Sequence, residues 1–149
     1  MNKLPELKIG GRSIPLYYST YETLAIQHEI GCTAFQLTDQ VFGMEKIDKD
    51  EDATVENTRL TVVSDPEKME KLGKLIRILG NAGLEESGQE PDLTDKWVLR
   101  HMKPAMIIVY AVGLIMVIRD GNTMEAKGEE NGPVDEIKEE IEAKKQPRN

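Results

Sequence analysis

The chain has 149 residues, 27 acidic and 19 basic side chains and a formal net charge of −8. No segment concentrates Lys and Arg, which argues against a nucleic-acid or anionic-membrane surface. One cysteine excludes an internal disulfide framework, and the opening Met-Asn-Lys-Leu-Pro-Glu has no apolar signal core, so a soluble intracellular protein of one-domain size is expected.

Glu6 to Leu16 predicts a small hairpin. Leu7 and Ile9 alternate with Glu6 and Lys8, Gly10-Gly11 is a two-residue primed-turn signal, and Ile14 and Leu16 alternate with Ser13 and Pro15. Pro15 has no N–H for a ladder, which puts the end of the second strand at an edge. Ser19 and Glu22 have capping-box spacing. Tyr21, Leu24, Ala25 and His28 then recur at i, i+3, i+4 and i+7, one face of a helix that Gly31 ends as a left-handed residue. A short helix is expected from Thr33 to about Phe42, with Phe35, Leu37 and Val41 or Phe42 inward and Gly43 at its end. Glu45 to Asn57 is polar and aperiodic, hence a loop, and Thr58 to Val63 is a β-branched candidate for a third strand.

Asp65-Pro66-Glu67 supplies a cap, a proline for the first turn and an acid near the helix N-terminus. Met69, Leu72, Leu75, Ile76 and Leu79 continue it as a helical stripe, expected to stop between Gly80 and Gly83. Gly73 inside that stripe costs about 1 kcal/mol against alanine, which either a close helix crossing or simple tolerance explains. After a polar loop, Thr94 caps a helix over Asp95 to Lys103, with Trp97, Val98, His101 and Met102 available to the core. Pro104 disfavours helical angles at Lys103, so a corner is expected there.

Ala105 to Ile118 is an uncharged, almost wholly apolar run, framed by Pro104 for the first turn and Arg119 for the carbonyl end of the helix dipole. At about 1.5 Å per residue it spans roughly 21 Å, short of the ~30 Å bilayer core, so a core helix of a soluble fold is expected and not a membrane span. A helix apolar on every side needs neighbours all round; self-association or a bound partner helix would complete its cover. Asp120 to Asn149 holds nine acidic and five basic residues, net −4 and half of the chain's charge. A linker from Asn122 to Gly132 and a weak helix from Val134 to about Lys145, with only Val134, Ile137 and Ile141 apolar, are expected there, partly disordered. The expected fold is α+β, mainly α: a helical bundle around a central apolar helix at about 104–119, with an N-terminal hairpin. It forms one globular domain over 1–121, followed by the acidic tail over 122–149.

The chemistry-bearing residues form no active site. Asp48, Asp50 and Asp52 stand at positions 1, 3 and 5 of a calcium loop, but Ala53 and Arg59 occupy the positions that need glycine and a bidentate glutamate. His28 and Cys32 are four apart with Gly31 interrupting the helix and no third orienting group. Two histidines and one cysteine make a histidine- or thiolate-rich metal site improbable, and Gly10-Gly11-Arg12 lacks the order of a phosphate loop. No enzyme, cofactor or metal is therefore expected. Met102, Met106, Met116 and Met124 offer either core filling or an adaptable partner surface.

Taken in order, several stretches resemble a known family. They are the glycine-turned hairpin Leu7 to Leu16, the Tyr-Ser-Thr-x-x-x-Leu stretch from Tyr18 to Leu24, a helix ending Glu29-Ile30-Gly31, a leucine-rich helix, Pro-Asp-Leu-Thr-Asp from Pro91 to Asp95, a final apolar helix and a charged tail. Together they resemble the tail assembly chaperones of long-tailed bacteriophages and prophages. The resemblance implies a mainly helical, non-catalytic protein of the bacterial host cytoplasm that coats the tape measure protein until tail tube subunits polymerise, and that is absent from the mature virion. A groove between the apolar helix and the preceding stripe would then receive the partner helix, with Met69, Leu72, Leu75, Ile76, Leu79, Met102, Met106 and Met116 as its lining. The alternatives are a structural tail-completion or connector protein of the particle, and a small metal-using enzyme built on the Asp48 to Asp52 loop.

Overall fold

Twenty-one residues from Pro66 to Glu86 form the longest helix, α2, and most of the fold is arranged around it. The computed structural model describes residues 3–122, of which Leu4–Gly121 form one compact unit. The linker and last helix expected after Asn122, and Met124 with them, lie outside the described residues. The class is the expected one, mainly helical with two small antiparallel sheets.

The N-terminal hairpin pairs β1 (Glu6–Ile9) with β2 (Arg12–Pro15) in the register Leu7 to Ile14 and Ile9 to Arg12. Gly10 and Gly11 both take positive φ, +60° and +79°, as a two-residue primed turn demands. Period two therefore carries Leu7, Ile9 and Ile14 to one face, and all three are buried.

Helix α1 (Thr20–Glu29) starts on the expected capping box. The Tyr21 N–H donates to Ser19 Oγ at 3.2 Å, and the Ser19 N–H donates to Glu22 Oε1 at 2.9 Å. The buried face differs from the expected one. Glu22 and Ile26 face inward, whereas Tyr21 is 76% exposed, and Leu24 and His28 also face solvent. The approach to the helix sets its rotation: the Tyr17 N–H donates to the carbonyl of Leu79 on α2 at 3.1 Å, and from that anchor the i, i+4 pair Glu22–Ile26 turns toward α2. Gly31 ends the helix at φ +85°.

The short helix expected from Thr33 to Phe42 is instead two unlike turns, a 3₁₀ turn at Ala34–Gln36 and a π turn at Thr38–Phe42, whose last bond runs from the Gly43 N–H to the Thr38 carbonyl. The π turn brings Val41 and Phe42 to the core together, Leu37 just before it is also buried, and Phe35 in the 3₁₀ turn is left outside, 94% exposed. The stretch after it holds a strand that alternation did not signal: β3 (Met44–Lys46) pairs with β4 (Thr58–Leu60). The third strand is shorter than expected, since Thr61–Val63 turns into 3₁₀ helix. Between the two strands the buried Asn57 side chain holds the acidic loop. Its Oδ1 accepts from the Asp48 N–H at 2.8 Å, and its Nδ2 donates to the carbonyls of Asp48 and Asp52, both at 2.9 Å.

Helix α2 runs through Gly80 and Gly83, where it was expected to stop, and ends at Ser87 with Gly88 at φ +76°. Its internal glycines are points of close approach. A Cβ at Gly73 would lie 2.5 Å from Leu99 Cδ2, one at Gly80 would lie 2.6 Å from Leu93 Cδ1, and one at Gly83 would lie 1.9 Å from the Pro15 carbonyl oxygen. Gly73 does stand at a close crossing, but the atom a methyl would meet there is the free end of the Leu99 side chain, whereas at Gly83 it is backbone. Asn81 clamps the following loop through both amide atoms, donating to the Leu93 carbonyl at 3.1 Å and accepting from its N–H at 2.9 Å.

Thr94 caps α3 (Asp95–His101) by accepting from the Trp97 N–H at 3.0 Å. Met102 and Lys103 are extended, a 3₁₀ turn follows at Pro104–Met106, and α4 (Ile107–Asn122) begins, so the corner forms where Pro104 requires it. Helix α4 is the apolar helix. It is present, with Ala111 and Leu114 fully buried, but Leu72, Leu75, Ile76 and Leu79 are fully buried on α2, and α2, which packs against most of the other elements, is the hub.

Candidate functional site

The site is the half of α4 that the fold leaves uncovered. Ile107, Tyr110, Ala111, Leu114, Val117 and Ile118 fall at helical spacing and are buried. Leu7 from β1 lies against this helix, 3.1 Å from where a Cβ at Gly113 would stand, and Tyr18 lies against Gly121. On the other side Ile108 (52% exposed), Val109 (53%), Val112 and Met116 (49%) recur at i, i+1, i+4 and i+8, continued toward the N-terminus by Ala105 and Met106. Polar residues frame the stripe: Lys103 at one end, and Arg119 and Asp120 at the other, 3.9 Å apart. With its leading turn the segment Pro104–Asn122 has 19 residues and is long and apolar enough for a membrane span by those measures alone, and one third of its most apolar window is buried.

Of the residues expected to line a partner groove, Leu72, Leu75, Ile76 and Leu79 are enclosed by the chain's own elements. Met69 and Met102 are half-buried against that core, and only Met106 and Met116 face solvent. The groove expected between α2 and the apolar helix is therefore filled. α2 packs against α1, α3, β2 and the turns at 38–42 and 61–63, and its stripe is consumed by them. Ile108, Val109 and Val112 were missed for a simple reason: in a run apolar on every side, periodicity carries no information about which face is covered.

The other constellations are structural. Arg77 bridges α1 to α3 by donating to Glu29 and, through Nε, to Asp95, which also accepts from Lys74 Nζ at 2.9 Å. Partial burial pushes the Asp95 carboxyl up, but the hydrogen bonds from Arg77 and Lys74 outweigh it and hold it below the ordinary carboxylate value. His101 stacks on Trp97 with ring centroids 4.4 Å apart, Arg12 lies over the Trp97 ring, and the hairpin turn at Gly10 packs on His101. Cys32 is buried, and desolvation raises its thiol despite the lowering influence of Lys71, the reverse of what a nucleophile needs. His28 is exposed. Among the described residues no group of three or more His, Cys, Asp or Glu is placed to hold a metal ion.

No family model, curated protein or solved structure matches the chain.

Proposed function

We propose that the chain is a non-catalytic tail assembly chaperone of a long-tailed phage or prophage. It works in the host cytoplasm, holds the tape measure protein and hands it to polymerising tail tube subunits. The resemblance in the order of the hairpin, helices and charged tail supports this reading. The single observation that carries it is the uncovered stripe of Met106, Ile108, Val109, Val112 and Met116. A holdase for long amphipathic helices must present apolar surface on a rigid scaffold while its net charge keeps the loaded complex soluble. Here the stripe lies on a helix anchored along its other face, in a chain of net charge −8.

The experiment is co-expression with a phage tape measure protein, taken from the adjacent genes where they encode one, followed by pull-down. The wild-type chain is expected to keep the long protein soluble and retain it. A Val109→Asp/Met116→Asp variant, which adds charge only at exposed positions, is expected to fold normally and lose it. No co-purification, or equal retention by the folded variant, would refute the proposal. Detection of the chain in purified particles by mass spectrometry would favour a structural tail subunit instead.

A further inference from the structure

We infer that in the free protein the uncovered face of α4 closes on the same face of a second copy, as an antiparallel helix pair with its two-fold axis beside Val112. The inference goes beyond the chaperone reading and does not depend on it.

The stripe is self-complementary in that arrangement. Taking Val112 as the centre sets Ile108 of one copy opposite Met116 of the other, Val109 opposite Ile115, and Ala105 opposite Arg119. All of these are exposed or partly exposed, so the faces meet along their whole length without moving any buried side chain. The ends agree as well. Antiparallel pairing sets Lys103 of one copy at the end where Arg119 and Asp120 of the other lie side by side and offset each other, and the two helix dipoles oppose. A parallel pair would set Lys103 against Lys103. Avoiding that like-charge contact, with the opposed dipoles, favours the antiparallel direction.

The size of the face fits a second copy. Five large apolar side chains about half exposed, with Ala105 and the stems of Lys103 and Arg119, leave on the order of 500 Å² per copy. That is the size of the largest apolar patch on an ordinary monomer, ~300–600 Å², so its continuity along one helix face, and not its area alone, points to a partner. A symmetric pair then buries roughly 1,000 Å², the lower edge for a specific interface. The dimer should therefore be weak and reversible, not obligate. Because the face is isologous, association stops at two copies and does not propagate into a filament.

The test is sedimentation equilibrium on the purified full chain from about 1 to about 300 μM, a range spanning a weak standard interface. The weight-average mass should rise from 16.8 kDa toward twice that value. Val112→Asp, which sets two carboxylates at the axis, should weaken association at least tenfold while leaving helicity and the dilute-solution melting midpoint unchanged. If that variant folds poorly, Val112→Cys should cross-link with a short bismaleimide, whereas Tyr21→Cys, on the exposed face of α1, should not.

A monomer at every concentration overturns the inference. So does association unaffected by Val112→Asp, or equal cross-linking from Tyr21→Cys. Monomeric protein that floats with lipid vesicles overturns it in favour of a membrane surface. A monomer that still co-purifies with tape measure protein sinks the dimer and leaves the chaperone reading standing; a dimer that never takes up that protein does the reverse.

Discussion

Replacing Gly83 with alanine sets two effects of opposite sign against each other. Helix propensity alone would favour alanine by about 1 kcal/mol at an interior position. The new methyl, however, would stand 1.9 Å from the Pro15 carbonyl oxygen, 2.3 Å from its carbon and 2.8 Å from the Leu16 nitrogen. These are backbone atoms, and the strand end carrying them is fixed on both sides: the Leu16 N–H donates to the Pro5 carbonyl at 2.8 Å and the Tyr17 N–H to the Leu79 carbonyl at 3.1 Å. Relief requires the hairpin to retreat from α2 by more than 1 Å, which loosens the packing of Ile14 and Leu16. Overpacking of this kind costs roughly 1–3 kcal/mol and here has no flexible neighbour to absorb it. With the overpacking at the upper end, about 3 kcal/mol, and the propensity gain of about 1 kcal/mol subtracted, the net expectation is a loss of about 2 kcal/mol, or roughly 5–10 °C in melting midpoint for a chain of this size.

Gly73→Ala is the internal control. The atom it meets is Leu99 Cδ2, the free end of a side chain that is partly exposed and can rotate away, so the propensity gain should survive and stability should change by less than about 0.5 kcal/mol or rise. Urea denaturation of the three proteins decides between them, with the m-value checked for constancy. A Gly83→Ala protein as stable as the parent, or two variants that shift alike, would refute the claim that α2 and the hairpin meet backbone to backbone.

Leu114→Ala should cost about 2–5 kcal/mol by emptying a buried position, while Val112→Ala, two residues away on the exposed face, should stay within about 0.5 kcal/mol in dilute solution. Equal effects in thermal melts would mean that α4 is rotated from the orientation described. Asn57→Ala should destabilise by about 1–3 kcal/mol, since it removes the partners of the Asp48 N–H and the Asp52 carbonyl and one of the two donors to the Asp48 carbonyl. Faster hydrogen exchange at the Asp48 amide is the readout, and unchanged exchange would contradict the loop's dependence on Asn57. Asp95 is held below its ordinary value by Arg77 and Lys74, against the raising effect of burial. Its contribution is therefore complete above the unfolded aspartate value near ~3.9 and is lost as pH falls through the lower folded value. Asp95→Asn should flatten the acid limb of a stability–pH curve below about pH 4. A limb of undiminished slope would assign acid sensitivity to other carboxylates.

The elements legible in the sequence were those with local chemistry. Gly10-Gly11, the Ser19–Glu22 box, Asp65-Pro66 and Thr94 each act within four residues, and each stands where its pattern placed it. What escaped depends on distant partners. The rotation of α1 is set by a bond from Tyr17 to Leu79, which no periodicity within Thr20–Glu29 reveals. The stop expected at Gly80 to Gly83 failed because those glycines serve the crossings with Leu93 and Pro15 and do not end the helix. The candidate site shows the same division. That Ala105 to Ile118 is a helix follows from composition and flanks, but which half is dry depends on where Leu7 and Tyr18 land. The stripe at Leu72 to Leu79, conspicuous in sequence, was conspicuous because it is the core.

The dependence of the hairpin on α2 has a consequence for synthesis. Ile14 and Leu16 leave the ribosome before the surface that buries them, which includes Gly80 and Gly83, more than sixty residues downstream. At about 5–20 residues per second the nascent chain carries these two side chains unburied for roughly 3–14 s, and Leu7, which lies against Gly113, for longer. Over that interval Lys8 and Arg12, and the proline that closes β2, are the groups that discourage unwanted strand pairing. Translation speed across residues 17–84 is thus a variable on which the yield of folded protein depends.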